Sequence, residues 1–182
     1  MDYRVFRAIN QFAGRYRLLD MIMITISQKV RYLFVLILIL MWFRNHYHKK
    51  ITLFTGISVG ITFLLNKIIK QFYFKPRPFL NLWVHLLPPS PSKRDSSFPS
   101  KHTTLAFAAA TSVTFYKRVL GCIMYLLAFF AGFSRIWMGQ HYPSDIICSA
   151  LLGSLISVVV KITERVWNPV IKRFKHSILK NT

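Results

Sequence analysis

The chain has 182 residues, 53% of them hydrophobic, and carries 25 Lys and Arg against 5 Asp and Glu, a net charge of +20. A soluble basic protein that binds nucleic acid has fewer long apolar runs. An apolar chain with its basic residues set between the runs reads as a polytopic membrane protein, and no nucleic-acid partner is expected.

The N-terminal stretch MDYRVFRAINQFAGRYR holds arginines but neither a continuous apolar run nor a small-residue cleavage site, so it is not read as a signal peptide. Val5, Phe6, Ile9 and Phe12 have the spacing of a surface helix. Residues 18–27 (LLDMIMITIS) are mostly apolar but too few to span; they are expected to form an interfacial or re-entrant helix, with a sixth span as the alternative. Five longer apolar runs follow, at residues 33–43, 51–66, 103–116, 119–134 and 146–160. Each is shorter than the roughly 20 residues that cross the hydrocarbon core. With basic residues flanking nearly all of them, they are read together as spans whose helices extend into the polar flanks. The expected fold is all-α, a single membrane domain over residues 1–182: N-terminal interfacial or re-entrant helices in 1–30, a helical core in 31–166 and a basic tail in 167–182. The two cysteines, Cys122 and Cys148, fall inside apolar runs and are expected to be buried packing residues rather than a disulfide.

Between the second and third runs lies a long loop holding six of the eight prolines, which excludes a continuous helix there. A long loop on a compact bundle is usually functional. If runs two to five each cross once, three polar groups share one face: Lys70, Lys75 and Arg77; Ser100, Lys101 and His102; and Arg135, His141 and Asp145. The opposite face receives residues 44–50, Lys117, Arg118 and the basic tail. That face carries 11 Lys and Arg, the motif side 8 and the N-terminal region 6, so the positive-inside rule does not fix orientation.

A cluster of fixed cations near hydroxyl and amide donors suits a phosphate, and suits still better a phosphoryl transition state with charge spread over its equatorial oxygens. A helix beginning near His102 adds its positive dipole end. Two histidines can divide the roles of nucleophile and proton donor. Asp145, four residues after His141, can hold an imidazole in one tautomer and stabilise its cation. Pro143 between them fits the first turn of a helix. With one acid in the motifs, no metal ligand and no cofactor is expected.

Three stretches, KQFYFKPRP (70–78), PSKH (99–102) and SRIWMGQHYPSD (134–145), resemble in order and internal spacing the motifs K-x6-RP, PSGH and SR-x5-H-x3-D of the type 2 phosphatidic acid phosphatase family. The neighbourhoods of FKPRPF and SFPSKHT and the small size look most like the bacterial undecaprenyl-diphosphate phosphatases of the bacitracin-resistance type. The resemblance implies a six-helix fold with a metal-independent active site at one membrane face. It implies that His141 attacks phosphorus and becomes a phosphohistidine, that Asp145 orients His141, and that His102 protonates the leaving phosphate. Lys70, Arg77, Ser100 and Arg135, with amides near Lys101 and His102, would hold the phosphoryl oxygens. It also implies a polyprenyl diphosphate lipid as partner, a bacterial cell-membrane location and an outward-facing site. Other lipid phosphates, such as phosphatidylglycerol phosphate or phosphatidic acid, are the runner-up substrates; a non-catalytic bacitracin transport component is the alternative from another class. Lys101 departs from the family, which has Gly or Asp there; it is expected either to reach the headgroups or to contact the second phosphate of a diphosphate.

The remaining residues are given ordinary roles. His46, His48 and His176 are expected to face solvent or headgroups, and Trp42, Trp83, Trp137 and Trp167 to form an aromatic belt. Lys93, Arg94 and Asp95 read as a solvated loop with a phosphate-attracting rim as the alternative. His85 is a secondary candidate for substrate contact, and Asn66 is expected to hydrogen-bond between helices.

Overall fold

A computed structural model describes residues 2–92 and 95–180, with side chains described as far as residue 164. Lys93 and Arg94 lie outside the described residues, and the Trp167 and His176 side chains lie outside the described side chains. Seven helices follow in order among the described residues: α1 (Asp2–Asn10), α2 (Arg17–Arg44), α3 (His46–Phe72), α4 (Pro78–Asn81), α5 (Lys101–Thr114), α6 (Arg118–Trp137) and α7 (Pro143–Lys180).

Residues 18–27 do not form a separate helix. They are the first half of α2, which runs unbroken for 28 residues into the first apolar run. Buried Asp20, Met23, Ser27, Val30, Phe34 and Met41 fall three, four or seven residues apart, one continuous stripe that passes through the polar Gln28, Lys29 and Arg31. Lys29 points away from the stripe and Arg31 lies exposed at its edge, four residues after Ser27, so the charges that interrupt the run do not interrupt the helix. At 1.5 Å per residue α2 is about 42 Å long, more than the roughly 30 Å hydrocarbon core.

Among the described residues four helices are long and apolar enough to cross a membrane: α2, α3, α6 and residues Pro143–Glu164 of α7. Their outward faces expose large apolar side chains, among them Leu40, Leu64, Leu126, Phe129 and Leu155, which suit lipid rather than water. Helix α5 differs. It has 14 residues, eight of them buried, and it packs against α7, α6 and α3 as the centre of the bundle. It is therefore a sheltered central helix, shorter than the helices formed by the other four runs that the sequence marked as spans.

Small and hydroxylated residues let α5 seat closely. A Cβ at Gly153 of α7 would lie 2.1 Å from the Thr104 carbonyl oxygen, so only glycine admits this approach. Ser157 donates to the Ala108 carbonyl at 2.7 Å, Thr55 of α3 to Ser112 at 3.0 Å, and Asn66 of α3 to Thr104 Oγ1 at 3.1 Å. Asn66 thus bonds between helices as expected. In a bilayer each such bond contributes about 0.6 kcal/mol, so the set fixes register more than it supplies stability.

The N-terminal helix clamps the motif end. Asn10 donates to the carbonyls of His85 and Trp137 and accepts from the His85 amide, tying α1 to the long loop and to the end of α6. Asp2 accepts from the Ser144 amide and hydroxyl at the start of α7. Trp137 is buried and donates to Asp20 at 2.8 Å, so it is a packing residue rather than part of a belt, while Trp83 is fully exposed. His48 is also buried, with its ring against Asn45, and both Cys122 and Cys148 are exposed on the outer helix faces.

Candidate active site

All three motif groups meet at one end of the bundle. Lys70 ends α3, Arg77 caps α4, Lys101 and His102 begin α5, Arg135 ends α6, and His141 and Asp145 flank the start of α7. The helix polarity favours the cations at the C-terminal ends of α3 and α6, and the positive N-terminal end of α5, where Lys101 stands against the dipole, faces the same space and suits an anion. A cavity of about 400 Å³ there is lined by Lys70, Arg77, Lys101, His102, Arg135 and His141, together with Asp95 and Gln140. Such a volume admits a phosphoryl group with room for adjoining atoms.

The geometry around His141 defines its tautomer. Arg77 Nη1 lies 3.2 Å from His141 Nε2, and a guanidinium only donates, so Nε2 is the acceptor and Nδ1 carries the proton in the neutral ring. On the other side, Nδ1 lies 3.4 Å from Ser97 Oγ, which donates to Asp145 Oδ2 at 2.5 Å. The direct distance from Nδ1 to Asp145 Oδ2 is 3.9 Å. Asp145 therefore reaches His141 chiefly through Ser97, a link that the resemblance did not include. The carboxylate is fully buried and held by Lys75 Nζ at 2.6 Å and by the Tyr142 amide at 3.1 Å. Burial holds the His141 imidazole well below its ordinary pKa, with the charges of Arg77, Arg135 and Lys70 acting in the same direction. A neutral ring with its Nε2 lone pair facing the cations is what a nucleophile for phosphorus requires.

The two arginines are set by one residue. Gln140 accepts from Arg135 Nη1 through its side-chain oxygen at 2.6 Å and from Arg77 Nη1 through its backbone oxygen at 3.0 Å. Its own amide donates to the Pro89 carbonyl, which anchors the clamp to the long loop. Gly139 makes the turn before it, with φ of +75° and a Cβ position only 3.1 Å from the His85 carbonyl. Among the described residues Arg135 Nε is buried without a hydrogen-bond partner, a donor available to a ligand oxygen.

Some expected residues take other places. Ser100 is fully buried, its hydroxyl 3.0 Å from Thr103 Oγ1 and its amide bonded to Ser149 Oγ; it does not line the cavity, and it holds the start of α5 rather than presenting an oxygen. His85 does not line the cavity either, and its backbone is engaged by Asn10. Asp95 does not behave as a purely solvated loop residue: its carboxylate pairs with Lys70 at 2.9 Å and with Arg77 at 2.6 Å. Burial pushes its pKa up, but the hydrogen bonds and charges of Lys70 and Arg77 outweigh that and hold it below the ordinary carboxylate value. Ser97 and Gln140 were thus missed as site residues, while Lys75 had been placed on the motif face without a role and Asp95 on a solvated loop with a phosphate-attracting rim as the alternative. Three of them, Lys75, Ser97 and Gln140, lie within or beside the motifs, where only chain folding reveals what they touch.

Comparison with known proteins agrees with this geometry. Residues 51–168 match the family model of the PAP2 superfamily. The undecaprenyl-diphosphatase BcrC of Bacillus subtilis (strain 168) is 37% identical over 161 residues, which cover 88% of this chain and 80% of that one. The bacitracin transport permease protein BcrC of Bacillus licheniformis is 30% identical over 166 residues, 88% of this chain and 79% of that one. Among solved structures, that of Aquifex aeolicus LpxE matches with a TM-score of 0.74 and 30% identity, covering 87% of this chain and 93% of that one.

Proposed function

The chain belongs to the PAP2 superfamily and is a membrane lipid phosphatase, and from that premise we propose that it hydrolyses undecaprenyl diphosphate to undecaprenyl phosphate and inorganic phosphate. The observation that carries the catalytic part is the His141 arrangement: Nε2 faces Arg77 and the cation-lined cavity, while Nδ1 is backed by Ser97 and Asp145.

In this reading the terminal phosphoryl group lies among Lys70, Arg77 and Arg135, with first-turn amides of α5 helping. Nε2 of His141 attacks phosphorus and the bond to the bridging oxygen breaks. In the free protein burial and the charges of Arg135 and Arg31 lower the His102 pKa to about 3. The negative charge of the bound phosphate offsets those cations, His102 takes up a proton with the substrate, and it gives that proton to the bridging oxygen as the lipid monophosphate leaves. The imidazolium formed at His141 is stabilised through Ser97 by the Asp145 carboxylate, which Lys75 holds in place. A water then attacks the phosphohistidine, His102 accepts its proton, and inorganic phosphate departs. The site faces the outer side of a bacterial plasma membrane in this proposal, and carrier-lipid recycling would confer bacitracin tolerance. The undecaprenyl tail is assigned by likeness to the Bacillus subtilis relative.

Phosphate release by purified protein from undecaprenyl diphosphate tests the reading, with phosphatidic acid and phosphatidylglycerol phosphate run alongside. Release from the first substrate and its loss in His141→Ala are expected. Release from the other lipids alone would replace the substrate assignment. Bacitracin tolerance that survives His141→Ala at equal expression would favour the transport role that the name of the Bacillus licheniformis relative suggests.

A further inference from the structure

A second cavity, of about 340 Å³, adjoins the first between α2, α3 and α5. The two share Lys101 and His102 in their walls. Most of the second is apolar, with Val30, Phe34 and Leu38 along α2, as a hydrocarbon chain requires. Its junction with the first is not apolar: it holds Arg31, Lys101 and Ser27.

These three groups have no evident structural duty. Among the described residues, neither Arg31 nor Lys101 has an ion-pair partner within 4.0 Å. Arg31 contacts the neighbouring Tyr32 through its hydroxyl and ring, and Lys101 Nζ lies 4.6 Å from the centre of the Phe63 ring, which itself lines the first cavity. Arg31 is near enough to His102 and Arg135 for its charge to act on both. Ser27 is 4% exposed, yet its hydroxyl has no hydrogen-bond partner, while its carbonyl accepts from Arg135 Nη2 at 3.3 Å. A buried hydroxyl without a partner costs free energy unless a ligand supplies one.

The order of groups along a bound substrate then decides what sits at the junction. With the terminal phosphoryl before His141, the next atoms pass His102. In a lipid monophosphate those atoms are carbon, and two cations beside carbon gain nothing. In a lipid diphosphate they are a second phosphate, with charged oxygens for Arg31 and Lys101 and an acceptor for Ser27. We propose that Arg31, Lys101 and the Ser27 hydroxyl form a subsite for the lipid-proximal phosphate of a diphosphate, whose hydrocarbon chain enters the apolar cavity between α2, α3 and α5. The proposal rests on His141 attacking the terminal phosphorus, as above. The subsite also acts in the reaction: as the bond from phosphorus to the bridging oxygen breaks and the Nε2–P bond forms, the electron pair left on that oxygen belongs to the phosphate that Arg31 and Lys101 hold. His102 supplies the proton, so the product in the subsite is the lipid monophosphate.

The test compares two substrates with identical acyl chains in the same micelles, diacylglycerol diphosphate and phosphatidic acid. Arg31→Gln raises KM for the diphosphate about tenfold, the equivalent of one charge-assisted hydrogen bond, and leaves KM for phosphatidic acid within about twofold. Lys101→Gly, whose side chain also lines the first cavity, raises KM for both substrates but several-fold more for the diphosphate. Ser27→Ala moves the same ratio by a smaller factor. Lys29→Gln, an exposed cation on the same helix, leaves the ratio unchanged. Because the ratio is taken within one variant, partial misfolding does not alter it. Equal changes for both substrates, or an equal effect of Lys29→Gln, overturn the subsite and leave the undecaprenyl assignment intact. Hydrolysis of diacylglycerol diphosphate without hydrolysis of undecaprenyl diphosphate removes that assignment, and the ratios still decide the subsite.

Discussion

The two ends of the bundle handle charge in opposite ways. At the end opposite the motifs, buried Glu164 is matched by Lys50 at 2.8 Å, Lys161 at 2.9 Å and the Tyr116 hydroxyl, so its cations have an internal counterion. At the motif end Lys70, Arg77, Lys101 and Arg135 line a cavity with one half-exposed carboxylate, Asp95, among them. Asp145 is taken up by Lys75 and Ser97 behind His141. Cations that already have a carboxylate hold a fold together; cations arranged around a cavity without enough carboxylates hold an anion. Composition alone showed an excess of basic residues and not this division.

The sharpest way to break the comparison is to disable each end separately. His141→Ala lowers the rate of phosphate release by about 10⁴ or more, since the nucleophile is gone, and the melting temperature in detergent stays near that of the wild type. Glu164→Gln does the reverse. It leaves two lysines, one of them half-exposed, beside a neutral amide and destabilises the protein by about 1 kcal/mol, with kcat changed little. Assays of both variants for phosphate release and thermal unfolding check this. A comparable loss of activity in Glu164→Gln would mean that the ends are coupled.

Next in size is the dependence on leaving group. A phosphate monoester leaves with a second pKa of about 6, whereas the alcohol of a lipid monophosphate is closer to water, at about 16. His102→Ala therefore costs diphosphate hydrolysis about 10² and phosphatidic acid hydrolysis about 10⁴, the two ends of the usual range for general acid catalysis. Rates for both substrates in one variant give the comparison directly. Equal losses would mean that His102 acts on something other than the leaving oxygen.

The link through Ser97 comes next. Ser97→Ala removes the contact between the imidazole and Asp145 but leaves every residue lining the cavity in place. Expected is a fall in kcat of about tenfold to a hundredfold with KM unchanged, because a misdirected ring affects the attack and not the binding. Ser97→Thr, which keeps the hydroxyl, restores most of the rate. A change confined to KM would show that Ser97 supports the cavity wall instead.

Much of this was legible in the chain, and the reasons for the rest are specific. Motif spacing brought Lys70, Arg77, Lys101, His102, Arg135 and His141 to one cavity, because helix ends project residues of a motif together. The break in α2 was expected at Gln28, Lys29 and Arg31 because hydropathy averages over a helix, whereas burial follows one face. Ser100 was read as a ligand because it stands in the PSKH stretch that resembles the family motif, yet at the cap of a helix its hydroxyl turns inward to Thr103. Asp95 and Gln140 act across long sequence separations, or through a backbone carbonyl, and neither carries a local pattern.

A pH series separates the ends in another way. The folded His141 imidazole stays neutral below the ordinary pKa of 6.5, while the unfolded chain takes up a proton there. The unfolded state thus binds more protons, and stability falls as pH drops below about 6.5, by at most about 1.4 kcal/mol per pH unit for this one group. His141→Asn removes that slope. The melting temperature of the wild type falls relative to that of His141→Asn between pH 7 and pH 5 in this account; parallel profiles would mean that the ring is protonated in the folded protein as well.

The smallest expected effect concerns the one acid that crosses the division. Asp95 is ionised at neutral pH and pairs with the two cations that the phosphoryl group needs, so it competes with phosphate for them. Its side chain is 46% exposed, which weakens both pairs by solvent screening and makes displacement easy. Asp95→Asn keeps the backbone carbonyl that accepts from Arg77 Nε and removes the competing charge. Inorganic phosphate should then inhibit severalfold more tightly, and release of the product should slow in proportion. If the inhibition constant rises instead, Asp95 positions Lys70 and Arg77 for the substrate, and the motif end would resemble the Glu164 end more than its empty-handed cations suggest.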